Sequence, residues 1–441
     1  KSSMPAIEAG DRQQIKLPIP LIGAEALVFK APTEYEADAN ALDLANMLLY
    51  NGKAGLLDSL TNEHKVLVSA AMTAGLDDAA GSAIIVIPNL FGKMKKAEGR
   101  VLEQVQQVMD GNFSEEQVEI LKQQMLMDAQ RELETISSRS QRMVMTFSKG
   151  RSWQDVLDKI EGIRRLTKAD VVAAARKYYG GNYITLSKKY GTPQKETLKQ
   201  PGYKPVSPKN LDARSAFALQ LEQIPVKDMA VRTVDFGQDI EIKPLNNHVT
   251  LYYKDNPVND VFTFTLRYKD GELHTPALSV LGSCLSQLGT DSLNRHQLGQ
   301  AWQRIGATME VVPGDVAFSI NLTGPDKQLV PALRLLAHFL RSAKGDQKAL
   351  KDAKDEDRID RKSFGKQKDD VLRPAIHRIA YGERSSYLKQ LSRKEVKALK
   401  NEDLMALFRE LQQYDCELLY CGRLPIEYVA AQAQQALPLS Q

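Results

Sequence analysis

Cysteine, histidine and long apolar runs are all scarce in this 441-residue chain, and each scarcity closes a class of function. Three cysteines, Cys284, Cys416 and Cys421, are too few for a disulfide framework, and their odd number leaves at least one thiol unpaired. Cys416 and Cys421 lie in an apolar stretch that reads as a strand, with a spacing that sends them to opposite faces and argues against a shared metal. The histidines are His64, His248, His274, His296, His338 and His377, and no two are spaced for a local H-x-x-E-H or H-E-x-x-H site. No apolar run reaches the roughly 18 residues that span a bilayer. The opening segment, Lys1 to Gly10, lacks the apolar core of a signal peptide, so a targeting segment is expected upstream. The 59 Lys and Arg exceed the 55 Asp and Glu by only four, without a basic arm or stripe, which removes the electrostatic footprint of nucleic-acid binding. Neither a G-x-S-x-G elbow, a Walker loop nor a G-x-G-x-x-G turn occurs.

What is present describes a folded chain long enough for two domains: 43% of residues are hydrophobic and 26% charged. An apolar run, Ala24 to Lys30, precedes a helix expected from about Ala37 to Leu49, with Leu42, Ala45 and Leu49 on one face and Gly52 and Gly55 behind it. After a short amphipathic segment, Leu56 to Leu60, come Val66 to Val68 and Ser82 to Ile87, two strands about a polar turn at Asp77-Asp78. Ala97, Val101, Val105 and Val108 recur at helical spacing. Ser114 to Gln117 is a capping box opening a helix predicted to run unbroken to about Phe147. A helix from Trp153 to Ile163, a start signal at Thr167 to Asp170, the Gly180-Gly181 stop and a strand from Tyr183 to Ser187 complete the set.

From Pro193 to Met229 five prolines with polar residues between them suit a connecting arm, whose Ala216 to Leu221 segment is apolar enough to pack. The order then repeats, roughly 240 residues on. Strands Val249 to Tyr253 and Val261 to Tyr268 precede a helix from Thr275 to Leu288 and a short helix from Gln297 to Ile305. A hairpin follows from Thr308 to Leu322, then a helix carrying Leu329, Leu333, Leu336 and Leu340, and a long charged helix from about Lys348. Ser392 to Glu395 is a capping box, and Leu418 to Gly422 the closing strand. The expected fold class is α+β: two repeated modules, each a mostly antiparallel sheet covered by helices, at 1–192 and 230–441 with a proline-rich arm at 193–229.

Certain segments resemble a known family. Leu42 to Leu60, with its glycine break, and Leu166-Thr167-Lys168-Ala169-Asp170-Val171 resemble the second domain of the pitrilysin and mitochondrial-processing-peptidase (M16) zinc metallopeptidases. Leu245 to Val249 resembles the opening strand of the family's first-domain type, with His248 where glycine is usual. Val280 to Thr290 ends in Gly-Thr as the family's zinc helix does. The resemblance puts Val280, Ser283 and Cys284 where an active member carries the two histidines and the glutamate of H-x-x-E-H. Zinc hydrolysis needs two imidazoles on one helical face and a carboxylate to deprotonate the bound water, and none of these is present there. Asp355, Glu356 and Asp360 stand in the region from which the family draws its third ligand, but a solvated helix face is the favoured reading of them, as it is of the mixed charges of Lys351 to Lys368. Cys284, in an apolar stretch without an obvious base, reads as a structural thiol. Glu63-His64 reads as an exposed helix end or as a contact to a neighbouring domain or substrate.

The resemblance implies a non-catalytic portion of an M16-like peptidase: no metal, cofactor or catalytic residue in this chain, with zinc expected in a catalytic module elsewhere. Its implied partners are an extended or unfolded peptide, added as a strand to a sheet edge, and other M16 modules; its implied location is the bacterial periplasm or envelope. The candidate edges are the first strands of each module. The alternative is a structural or assembly subunit, like the family's core proteins of respiratory complexes. A self-sufficient enzyme with an unrecognised site is a third reading.

Overall fold

The structure, a computed structural model, describes residues 6–17, 23–76, 78–89, 92–192, 202, 209–226, 230–364 and 368–439. Asp77 and most of the proline-rich arm expected at 193–229 lie outside the described residues.

The first half runs β1 (Arg12–Leu17), β2 (Ala24–Ala31), α1 (Ala39–Leu49), α2 (Leu56–Asn62), β3 (Val68–Gly75), β4 (Ala80–Ile87), α3 (Met94–Met109), α4 (Glu115–Glu132), α5 (Ile136–Ser148), α6 (Trp153–Arg165), α7 (Lys168–Tyr179) and β5 (Tyr183–Tyr190). The strands form one sheet in the order β1-β5-β2-β4-β3, antiparallel except for the β1–β5 pair. Strand alternation sends Leu27, Phe29, Ile84 and Val86 to one face, where they are buried against Leu42 and Leu49 of α1 and Val101 and Val105 of α3. A buried polar knot, Tyr179 Oη to Asn46 Oδ1 and Ser82 Oγ to Asn46 Oδ1 at 3.1 Å, ties α7, α1 and β4 together.

After α8 (Ala216–Glu222) the second half runs β6 (Glu241–Pro244), β7 (Val249–Asp255), β8 (Val261–Tyr268), α9 (Leu278–Leu285), β9 (Gly289–Thr290), α10 (Arg295–Ile305), β10 (Thr308–Pro313), β11 (Phe318–Pro325), α11 (Leu329–Ser342), β12 (Ala343–Lys344), α12 (Gln347–Ser363), α13 (Lys368–Tyr381), α14 (Arg393–Ala398), α15 (Asn401–Leu411), β13 (Cys416–Gly422) and α16 (Ile426–Ala436). Its main sheet is β10-β11-β8-β13-β7-β6, with β7–β13 the one parallel pair. Its inner face, with Phe262, Phe264, Leu266, Ile320 and Leu418, is buried against α9 and α11. The first sheet's order recurs as β7-β13-β8-β11-β10, with β6 added on the edge that β1 occupies in the first half. The fold is therefore α+β, two mostly antiparallel sheets covered by helices.

Several expectations need correction. The helix expected to reach Phe147 unbroken stops at Glu132 and restarts at Ile136, because Thr135 Oγ1 accepts the Ser138 N–H as an N-cap. The helix expected at 275–288 is trimmed to Leu278–Leu285. The Ala216 to Leu221 segment is helical but buries nothing: Phe217, Leu219 and Leu221 are all exposed. The apolar strand expected to open the first module is β2, which lies in the middle of its sheet, and β7 is covered by β6; the free edges are β1, β3, β6 and β10.

The halves meet where α10 packs against α2 and α4. Gly299 of α10 lets the backbones close: a Cβ there would sit 3.0 Å from the Lys53 carbonyl oxygen. Asn256 Nδ2 donates to Glu134 Oε1 at 3.1 Å, and Arg304 lies 3.8 Å from Glu116. His64 is exposed at a helix end with φ 59°, where it also meets Lys348 of the other half.

Candidate functional site

Helix α9 is held against β10 so closely that a Cβ on Gly282 would come within 2.7 Å of the Pro313 ring. Val280 and Ser283 line a cleft of about 670 Å³, closed on the far side by α12 and by the segment 387–391. Cys284, one turn on from Val280, does not line the cleft: it is 2% exposed among Leu281, Leu285 and their neighbours, and burial pushes its thiol up to about 11. Of the three residues aligned with the zinc motif, Val280 and Cys284 are both buried in the core cluster, and Val280 and the half-buried Ser283 reach the cleft wall.

Across the cleft α12 presents Glu356, Asp357 and Asp360, whereas Asp355 pairs with Arg358 at 3.2 Å and does not line it. Asp357 is bound through both oxygens by Arg361 Nε at 2.8 Å, and Arg361 Nη2 donates to the Leu391 carbonyl at 2.6 Å. Glu272 lines the floor; burial and the nearby Asp315 carboxylate push its carboxyl above the usual range. The remaining walls are apolar, with Phe364, Pro374, Leu388 and Val396. Sequence reading missed Glu272, Asp357 and the 387–391 wall. The acid at 357 was visible within the charged helix, but the wall carries no local signal.

The donor set does not fit zinc. Val280 offers hydrocarbon, Ser283 a neutral hydroxyl, and Cys284 a buried, protonated thiol; the carboxylates opposite have no imidazole to complement them. Among the described residues no three His, Cys, Asp or Glu side chains are arranged to hold an ion. Four histidines are engaged elsewhere, and His296 Nδ1 is buried without a hydrogen-bond partner among the described residues. His248 Nδ1 lies 2.8 Å from Asp415, His274 Nδ1 lies 2.9 Å from Asp270, His338 Nε2 meets Ser292 and Thr290, and His377 Nδ1 meets Ser385 Oγ at 3.0 Å. Cys416 is buried in the core, its thiol raised to about 12, while Cys421 is half-buried on the opposite face of β13, as the strand spacing predicts. The mixed charges of α12 include helical-spacing pairs such as Lys348 with Asp352 and Arg361 with Asp357, the pattern of a solvated face.

No family model and no curated protein matches the chain. Solved structures do. Pitrilysin aligns over 96% of this chain and 47% of its own length, with 13% identity and a TM-score of 0.53. The periplasmic protease PqqL from Escherichia coli aligns over 100% and 53%, with 11% identity and a TM-score of 0.39. The ferredoxin protease FusC, solved with Arabidopsis ferredoxin, aligns over 99% and 52%, with 11% identity and a TM-score of 0.43. The chain spans about half the length of each of these proteins. At such identities the likeness concerns architecture, and the pitrilysin match, the strongest of the three in TM-score, shows that this chain has a pitrilysin-like, M16-type fold.

Proposed function

We propose that this chain is a non-catalytic portion of an M16-like zinc metallopeptidase. In this reading residues 1–192 are a second-domain-like module, 193–229 a connecting arm and 230–441 a module whose zinc motif has degenerated. The two modules help to wall a chamber that holds an extended peptide, and zinc belongs to a catalytic module outside this chain. The observation that carries the reading is the face of α9: a pitrilysin-like helix, set over an open cleft, with Val280 and Ser283 where metal chemistry would need an imidazole and a carboxylate.

Peptide holding without chemistry is within reach of this fold. All six residues of β1 are exposed at a sheet edge, so an extended chain can add there by main-chain hydrogen bonds with little sequence preference. No described helix is long and apolar enough to cross a membrane. The working place of the parent protein is proposed to be the bacterial envelope, on the family resemblance.

The test is to incubate the purified chain with a fluorescent unstructured peptide, with and without added zinc. Binding without cleavage in both conditions is expected. Cleavage that survives trace-protease controls overturns the non-catalytic assignment, and absence of binding favours the assembly-subunit reading.

A further inference from the structure

Where the two halves meet, a cavity of about 370 Å³ is lined from one side by Tyr50, Lys53 and Asp58 and from the other by Arg295, Leu298, Trp302 and Met309. Its polar groups are unevenly satisfied. The Asp58 carboxylate is committed to its own chain, accepting the Asn51 N–H at 3.1 Å and the Gly55 N–H at 2.9 Å at the start of α2. The donors have no such commitment. The side chains of Lys53 and Arg295 make no hydrogen bond or ion pair with any described residue, feeling Asp128 and the Asp58, Asp346 and Asp352 carboxylates only at longer range. Trp302 is 4% exposed, and its Nε1 is a buried donor with no partner among the described residues. An unpaired indole N–H at such depth is costly unless something accepts from it. The Lys53 ammonium is lowered by burial, which an anion beside it would reverse.

We propose that this junction cavity is a binding site for a small ligand carrying one anionic oxygen group, carboxylate or phosphate, on an apolar body. Lys53, Arg295 and the Trp302 N–H take the oxygens, while Tyr50, Leu298 and Met309 enclose the body. The volume suits a single aromatic or branched residue, including the last residue of a peptide with its free carboxylate. Because one cation comes from each half, the occupant bridges them and holds them together. Nothing in this inference depends on the peptide-holding role proposed above, and the two fail separately.

The chain has only one other tryptophan, Trp153 in α6, so a Trp153→Phe variant reports on Trp302 alone. Its emission is titrated with N-acetylphenylalanine, with phenyl phosphate and with uncharged N-acetylphenylalaninamide, alongside calorimetry on the unmodified chain. At least one anion is expected to bind saturably, with the amide at least tenfold weaker; which anion wins distinguishes the carboxylate source from the phosphate source. Arg295→Gln, at an exposed position that leaves folding intact, is expected to weaken the anion at least tenfold, and Lys53→Met similarly. Equal binding of acid and amide, less than threefold weakening in both variants, or no saturable signal and no heat with either anion at millimolar concentration overturns the proposal.

Discussion

The corresponding helices α1 and α9 answer the same packing problem to different degrees. In the first half Ala41, Leu44 and Ala45 are each at most 4% exposed, Ala41 borders a pocket of about 420 Å³ shared with α6 and α7, and Asn40 Nδ2 donates to the Lys159 carbonyl of α6 at 2.8 Å. In the second half α12 packs on α9, with Ala349, Leu350 and Ala353 in the same core cluster as Val280 and Cys284, and a cleft remains beside Val280 and Ser283. Both modules bury most of this helix, and the second keeps the larger cleft beside it, without the groups for metal chemistry. A repeated fold therefore conserves the scaffold of a site more readily than the site.

That contrast can be broken most directly by mutation. Leu44→Ser places a hydroxyl in a buried layer and should cost about 3–5 kcal/mol, whereas Ser283→Leu at the cleft wall should change stability by about 1 kcal/mol or less, both read from urea unfolding. Similar costs at the two positions would show that the cleft is closed in solution.

A second difference is electrostatic. Glu34, after β2, is ringed by Lys149, Arg142 at 2.7 Å and Lys159 at 3.7 Å; burial opposes its charge, but these cations prevail and hold its carboxyl at about 2. A depressed folded value means that the stabilisation is complete above the ordinary 4.5 and is lost as pH falls from there towards 2. Glu34→Gln should therefore cost about 2 kcal/mol at pH 7, allowing for screening, and the gap from the parent should shrink below pH 4.5 in pH-dependent unfolding.

Helix caps should show no contrast between the halves, because they are local. Ser114 Oγ accepts the Gln117 N–H at 3.1 Å and Ser392 Oγ the Glu395 N–H at 3.3 Å, so Ser114→Ala and Ser392→Ala should each cost about 1 kcal/mol in thermal unfolding. The smallest effect is expected from rebuilding the motif. A chain with Val280→His, Ser283→Glu and Cys284→His together should take up no stoichiometric zinc by elemental analysis, since positions 280 and 284 are both buried in the core cluster.

Elements with local signatures were legible in the sequence. The capping boxes at Ser114, Thr167 and Ser392 all begin helices, and the alternation of Ser82 to Ile87 is strand β4. Strands β1 and β6 were not legible. Arg12–Leu17 has no buried face, and what makes it a strand is its ladder to β5, more than 170 residues along the chain. The break at Thr135 escaped because threonine inside a helix and threonine capping one look alike until the chain turns.

The sequence by itself determined which chemical groups helix α9 can offer, since no packing gives valine a lone pair or serine a carboxylate. Tertiary structure alone decided where they point. Gly282 against Pro313 sets how closely the helix packs on β10, and the packing of α12 leaves Ser283 and part of Val280 at the cleft while Cys284 is covered. Periodicity shows that residues share a face, but which neighbour covers that face depends on contacts distant in the chain.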